Sequence, residues 1–275
     1  MKRRLGIVAS CLDGLDTISS LEKIKAAGFD CFFTGEYKMD EVTKIKEKAL
    51  DLGLDYEFIH APFHSINEIW TQGDGYLEVM EYMRESIDYA SKNKIPYVIT
   101  HLSSGWNPPN VNDLGFARVD ELVKYARERG VTLAFENLRV LGNLVCIMDR
   151  YADVDNVSFC FDCGHEHCFT KTVSLMDIFT TRVCCTHIHD NRSRGLFEKD
   201  GHFDLHMLPF DGTYDYSKMM QKLNEYNYQG ALMLEVWQSY DEYKRQRHRA
   251  ITALILAHLN CHQQQHKEYS GRAYR

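Results

Sequence analysis

At 275 residues the chain suits one large domain or two small ones, and a parallel α/β barrel typically needs about 250. The formal charge of −7 excludes a general nucleic-acid-binding surface, though not a locally basic groove. Nine cysteines, an odd number scattered among strands and helices, read as reduced thiols of a cytoplasmic protein rather than a disulfide framework. Met1-Lys2-Arg3-Arg4 is followed by too short an apolar run for a signal peptide, and no window approaches the roughly 20 apolar residues of a membrane span.

Strand and helix patterns alternate eight times. Leu5–Ser10 reads as the first strand, followed by a helix opened at Asp16/Thr17, with Ser19 and Glu22 spaced as a capping box and Gly28 as its stop. Phe29–Thr34 is the second strand, and a helix from about Asp40 ends at Gly53. Leu54–His60 is the third strand. After a loop with Trp70, Tyr76–Lys92 is a long amphipathic helix whose Val79, Met83, Ile87 and Ala90 fall on one face. Tyr97–His101, Val131–Glu136, Val157–Asp162, Val183–His189 and Ala231–Val236 complete the strands. Helices are expected up to Gly130, around Leu144–Tyr151, over Val173–Thr181 and Tyr216–Tyr226, and over Glu242–Leu259. Regular alternation over residues 1–261 without a linker predicts one parallel (β/α)8 barrel, with 262–275 as a polar tail. A doubly wound open sheet is disfavoured because no Gly-rich phosphate loop follows the first strand.

Four apolar runs each finish on a metal-type ligand: Leu133-Ala134-Phe135-Glu136, Phe159-Cys160-Phe161-Asp162, Cys184-Cys185-Thr186-His187 and Leu232-Met233-Leu234-Glu235. With period-2 alternation, Ala134 and Glu136 share a face, as do Cys160 and Asp162, Cys185 and His187, and Met233 and Glu235. Buried charges at strand ends are costly unless they meet a partner or cation, so convergence on one divalent-metal site is expected. In a barrel that site lies at the C-terminal strand ends. His60 and His101 also end strands, and His165, Asp204 and His206 lie in adjoining loops. These five are candidates for a further ion or for substrate, although a lone histidine at a strand end is commonly structural. Nitrogen and oxygen donors suit zinc, manganese or a similar ion. Cys160-x-x-Cys163 lies within a strand, without a second pair, and does not read as a zinc or redox motif. His189, one pleat beyond His187, faces substrate or solvent. Trp106 and Trp237 wall a pocket or simply pack. Arg192, Arg194 and Lys199 grip a phosphate or belong to a solvated loop.

The segments His60-Ala61-Pro62-Phe63, Phe135-Glu136-Asn137, Phe161-Asp162-Cys163-Gly164-His165, His187-Ile188-His189-Asp190-Asn191, Asp204-Leu205-His206 with Gly212, and Leu234-Glu235 resemble the xylose-isomerase-like barrel superfamily of sugar isomerases, epimerases and the endonuclease IV group. In the epimerase branch, the resemblance implies one divalent ion on Glu136, Asp162, His187 and Glu235, with the two glutamates exchanging protons with substrate. In the endonuclease IV branch it implies three zinc ions using those positions together with His60, His101, His165, Asp204 and His206. The loop Gly35-Glu36-Tyr37-Lys38-Met39 is short and lacks the arginine expected of a DNA-penetrating loop, and His206–Gly212 is closer to sugar phosphate isomerases/epimerases.

The expectation is therefore a metal-dependent isomerase or epimerase of a small sugar, sugar phosphate or sugar-like keto compound, acting by proton transfer next to a carbonyl, with Asp190–Thr213 as a loop that excludes water. The alternatives are a multi-zinc phosphodiesterase acting on abasic DNA and a non-catalytic metal- or ligand-binding barrel. The expected partner is a small carbohydrate, with no membrane and no nucleic acid; an oligomer is left open.

Overall fold

The computed structural model describes residues 3–35, 38–170, 172–194 and 202–239. The strands are β1 (Leu5–Val8), β2 (Cys31–Thr34), β3 (Asp55–His60), β4 (Tyr97–Thr100), β5 (Thr132–Glu136), β6 (Val157–Asp162), β7 (Val183–His187) and β8 (Leu232–Leu234). All pair in parallel, in the order β7-β6-β5-β4-β3-β2-β1-β8. Between them run α1 (Thr17–Ala26), α2 (Met39–Leu52), α3 (Tyr76–Lys92), α4 (Asp113–Glu128), α5 (Gly142–Arg150), α6 (Cys163–Phe169), α7 (Leu175–Phe179) and α8 (Tyr216–Glu225). This is the expected single (β/α)8 architecture. Beyond their first residues the strands are largely apolar and buried on both faces, as a sheet sheathed in helices requires; Asp55 and Glu57 at the start of β3 pair with Arg4 instead.

The helices follow local chemistry. Asp16 caps α1: its carboxylate accepts from the Ser19 N–H at 3.0 Å and from the Ser19 hydroxyl at 2.6 Å. The expected Ser19/Glu22 capping box does not form. An N-cap needs the extended backbone that Asp16 has, with ψ 157°, and Ser19 already lies in the first helical turn. Gly53 ends α2 with φ 62°, a left-handed cap that glycine adopts without steric cost. On α3, Val79, Met83, Ile87 and Ala90 are all buried as their spacing requires. The expected helix Val173–Thr181 is shorter: α7 starts at Leu175, whose N–H donates to Glu166, and gives way to a 3-10 turn at Thr180. The loop after β3 holds an unexpected 3-10 turn, Ile66–Trp70. Its buried Trp70 donates to Leu102 O at 2.6 Å, and a Cβ on Gly115 would come within 2.0 Å of the indole. The expected helix Glu242–Leu259 and the tail 262–275 lie outside the described residues.

Closure falls between β7 and β8. Ile188 N–H donates to Met233 O at 2.8 Å, and Glu235 N–H donates to Ile188 O at 3.0 Å. Deeper in the seam a side chain replaces the ladder. The buried Thr186 hydroxyl donates to Ala231 O at 3.1 Å and accepts from Met233 N–H at 3.3 Å. Thr186→Val keeps the shape and strands the Met233 N–H, while Ala231 O keeps the Tyr228 hydroxyl at 2.9 Å. Leaving one buried donor unsatisfied costs about 1–3 kcal/mol, so the variant should lose about that much in urea-unfolding stability. A loss below about 0.5 kcal/mol would show that the hydroxyl does not close the barrel.

Candidate metal and substrate site

Glu136 is the last residue of β5, Asp162 of β6 and His187 of β7, while Glu235 follows β8. Asp162 pairs in register with His187, and Glu136 with Cys160. One ligand atom from each of Glu136, Asp162, His187 and Glu235 lies within 4.8 Å of the others. His187 is wholly buried, and neither ring nitrogen has a hydrogen-bond partner. Its Nδ1 sits 3.3 Å from Glu136 Oε2, 3.5 Å from Glu235 Oε2 and 3.7 Å from Asp162 Oδ2. An orphaned imidazole nitrogen surrounded by three carboxylates is a donor set that fits a divalent cation.

A second group surrounds Glu136. Its Oε2 lies 3.2 Å from His60 Nε2 and 3.2 Å from His101 Nε2, and these three residues form a further possible ligand set. His165, His189, Asp204 and His206 form another. Backbone carbonyls, which only accept, assign the tautomers. His60 Nδ1–H donates to Ala61 O at 2.8 Å, His165 Nδ1–H to Asn137 O at 2.9 Å and His206 Nδ1–H to Glu235 O at 2.9 Å. Each ring thereby turns Nε2 inward: to Glu136, to Asp204 at 3.1 Å and to Asp204 at 3.4 Å respectively. A histidine pinned through Nδ1 with Nε2 facing carboxylate is the usual bearing of a metal ligand. The sequence-derived candidates His60, His101, His165, Asp204 and His206 thus all join the same strand-end cluster.

His189 behaves differently from the expectation of a substrate contact or a solvated residue. It is fully buried and does not line the cavity. The Asn191 amide donates to its Nδ1 at 3.4 Å, so Nε2–H donates to Asp162, 3.1 Å from both oxygens. Gly164 permits this approach, since a Cβ there would lie 2.1 Å from the His189 ring. Asp162 also caps α6 by accepting from His165 N–H at 2.6 Å. Asn137 pairs with the Asp162 backbone, donating to its O at 2.8 Å and accepting its N–H at 2.9 Å. Of the two alternatives for the tryptophans, Trp106 takes the packing one, edge-on against Phe169 outside the cavity lining, whereas Trp237 lines the cavity and donates to Ser10 Oγ at 3.2 Å. Arg194 donates to Phe169 O and lies over Trp106, so it is engaged with the protein; Lys199 lies outside the described residues.

The loop after β7 is tied down at both described ends. Buried Asp190 accepts from the N–H groups of Asn191, Phe210 and Tyr214 at 2.8, 2.9 and 3.1 Å, and Asn191 O accepts from Thr213 N–H at 2.9 Å. Gly212 lets the turn approach, because a Cβ would lie 2.2 Å from Asp190 Oδ1. Asn137, Asp190 and Asn191 stand in the sequence beside the candidate ligands but were assigned no role there. The available signal was an unbroken polar run straight after an apolar strand.

The cavity above these residues encloses about 620 Å³. Glu136 and Glu235 reach its wall, but Asp162 and His187 do not. Phe63 and Trp237, both about half exposed, offer aromatic surface at its mouth. The electrostatics are those of a caged charge cluster. Burial alone would raise the Glu136 carboxyl, but His187 and His101 hold it well below the ordinary carboxylate range. Burial opposes the charge on His187, yet Glu235 and Glu136 push it up to about 10. His206 rises to about 9 against its own burial, through Asp204 and Glu235.

A model of the xylose isomerase-like TIM barrel family matches residues 21–255. An uncharacterized protein of Methanocaldococcus jannaschii is 24% identical over 241 residues, covering 79% of this chain and 78% of its own. An inosose dehydratase of Glaesserella parasuis is 27% identical over 150 residues, covering 47% and 50%. Among solved structures, L-ribulose 3-epimerase superposes with a TM-score of 0.72 at 15% identity, covering 96% and 97%. A 3-keto-D-glucoside 4-epimerase from E. coli gives 0.72 at 14%, covering 93% and 100%.

The metal-free protein should show a stability maximum in pH. His187 and His206 have folded values raised above the ordinary 6.5, so their contribution is complete below that pH and is lost as pH rises towards about 9 to 10. Glu136 and Asp162 are lowered from 4.5 and 3.8, so theirs is complete above those values and is lost as pH falls. The melting temperature of chelator-treated protein should therefore peak at about pH 5 to 6.5 and decline on both sides. A melting temperature that climbs steadily from pH 6.5 to about 9 would contradict the cage. Asp162→Asn tests the ligand set, because asparagine preserves the α6 cap. The variant should stay folded by circular dichroism while losing divalent-metal affinity by about a hundredfold, at or beyond the upper end of what losing even an outer-shell partner costs. Full metal content under wild-type loading conditions would remove Asp162 from the set.

Proposed function

The chain belongs to the xylose isomerase-like TIM barrel family, and from its site we propose that it is a divalent-metal-dependent isomerase or epimerase of a small carbohydrate. One observation carries this reading: of the four residues Glu136, Asp162, His187 and Glu235, the two glutamates alone reach the cavity. Glu136 and Glu235 arise from strands separated by β6 and β7, so they meet a bound carbon chain from different sides. Glu136, Asp162, His187 and Glu235 would hold a divalent cation, which would supply Lewis acidity towards a carbonyl beside the reacting carbon. Glu136, kept unprotonated by His187 and His101, removes the proton from that carbon at one face. Glu235 returns a proton at the other face, which inverts the centre. Asp162 and His187, behind the wall, hold the pair in place, and His189 and Asn137 fix Asp162. Phe63 and Trp237 suit the C–H face of a sugar. The epimerase titles among similar structures, and the inosose dehydratase among relatives, support a carbohydrate substrate.

The extra donor groups, His60–His101–Glu136 and His165–His189–Asp204–His206, favour a second reading as a multi-metal phosphodiesterase. The cavity lining speaks against duplex DNA, because among the described residues it includes one Lys or Arg, and duplex binding rests on several phosphate contacts.

With metal and a suitable ketose, the enzyme should exchange solvent deuterium into the carbon next to the carbonyl, read by NMR. Glu136→Gln and Glu235→Gln should each slow this by on the order of a hundredfold or more. Metal-dependent nicking of an abasic plasmid, lost in Glu136→Gln and without exchange on a broad ketose panel, would transfer the assignment to the second reading.

A further inference from the structure

The charge cluster accounts for a reacting carbon but not for the rest of a substrate. Arg139, three residues beyond Glu136 in the loop between β5 and α5, supplies a candidate for recognising that remainder. Its guanidinium carbon lies 4.4 Å from the centre of the Phe169 ring, and Phe169 packs in turn on the His165 imidazole at 5.6 Å. The cation is thus braced through one of the cluster histidines. A guanidinium over an aromatic face is attracted to it while its in-plane N–H groups remain free to donate. Among the described residues Arg139 is the one Lys or Arg lining the cavity, and none of them offers it a carboxylate or a hydrogen-bond acceptor. By contrast Arg4, Arg84, Arg127, Arg129 and Arg150 each pair with a carboxylate. A half-buried fork of five donors, aimed at a cavity in an acidic chain and without an acceptor among the described residues, is suited to an anion brought in by the ligand.

Building on the carbohydrate reading above, we propose that Arg139 binds an oxyanion on the substrate, phosphate or carboxylate, at a position away from the carbon that exchanges its proton. The substrate class is then an anionic ketose rather than a neutral one. The planar fork matches two oxygens of either group, whereas a neutral hydroxyl engages it singly.

Calorimetric titration of the metal-loaded full-length protein tests this through affinity rather than rate. The probes are a pentulose 5-phosphate, a ketose carrying a terminal carboxylate, and the neutral pentulose. Wild type should bind at least one anionic probe about tenfold or more tightly than the neutral one, the scale of a charge-assisted pair. Arg139→Met should bring that ratio close to one. Arg139→Lys should keep part of it, since a point charge remains without the fork. Which anionic probe gains in wild type separates phosphate from carboxylate. Equal affinities for all three probes in wild type would overturn the proposal. So would a preference that survives in Arg139→Met, which would belong to the strand-end donors. Arg139-dependent preference without any deuterium exchange would support the anion site and reject the isomerase reading. Exchange on neutral ketoses with no anion preference would reject the anion site alone.

Discussion

The cost of burying charge governs this structure. The carboxylates of Glu136, Asp162, Asp204 and Glu235 share one end of the barrel with the imidazoles of His60, His101, His165, His187, His189 and His206. Burial by itself disfavours the charged forms of Glu136, Asp162, His187 and His206. Together they compensate: the imidazoles draw the Glu136 carboxyl down, and the carboxylates draw His187 and His206 up. Protons on His165, His187 and His206 balance the carboxylates of the cluster. A divalent cation held there would take over that balance.

Barrel closure and site formation are one event. The seam between β7 and β8 is bonded at Ile188 and Glu235, immediately beside the candidate ligands His187 and Glu235. Below it the Thr186 hydroxyl substitutes for a backbone ladder. Opening that seam would move two of the four central donors apart. Stability of the seam and affinity for any ion held there would consequently be linked, since a ligand bound only by the closed form stabilises it.

Around the donors lies a layer of buried amides and carboxylates that takes no direct part in the chemistry. Asn137 mimics a backbone partner for Asp162, Asn191 sets the His189 tautomer, and Asp190 gathers three N–H groups of the following loop. Glycines at 164 and 212 make room where a Cβ would collide with His189 and Asp190. Such outer contacts orient ligands and raise their basicity, which accounts for polar side chains sitting at zero exposure.

The eightfold alternation of strand and helix was legible in the sequence, because a parallel sheet sheathed in helices leaves continuous apolar strands separated by amphipathic segments. Period-2 parity was enough to group Glu136, Asp162, His187 and Glu235, since each strand end shows its side chain to a fixed face. Other features depended on three dimensions. The cap of α1 went to Asp16 instead of Ser19 because backbone angles, not spacing, define the cap. His189 continues the parity of His187 yet turns to Asp162, because a tautomer is set by its hydrogen-bond partner and a sequence does not display partners. Trp106 and Trp237 follow strands in the same manner, but the first packs on Phe169 and the second lines the cavity. Arg139 passed as an ordinary loop residue, its distinction being the absence of a described carboxylate within reach. The strand ends of a barrel converge by topology, so local pattern could foretell which of their residues meet. Which loop side chains face the cavity depends on packing between segments far apart in the chain, and that information exists only once the barrel has closed.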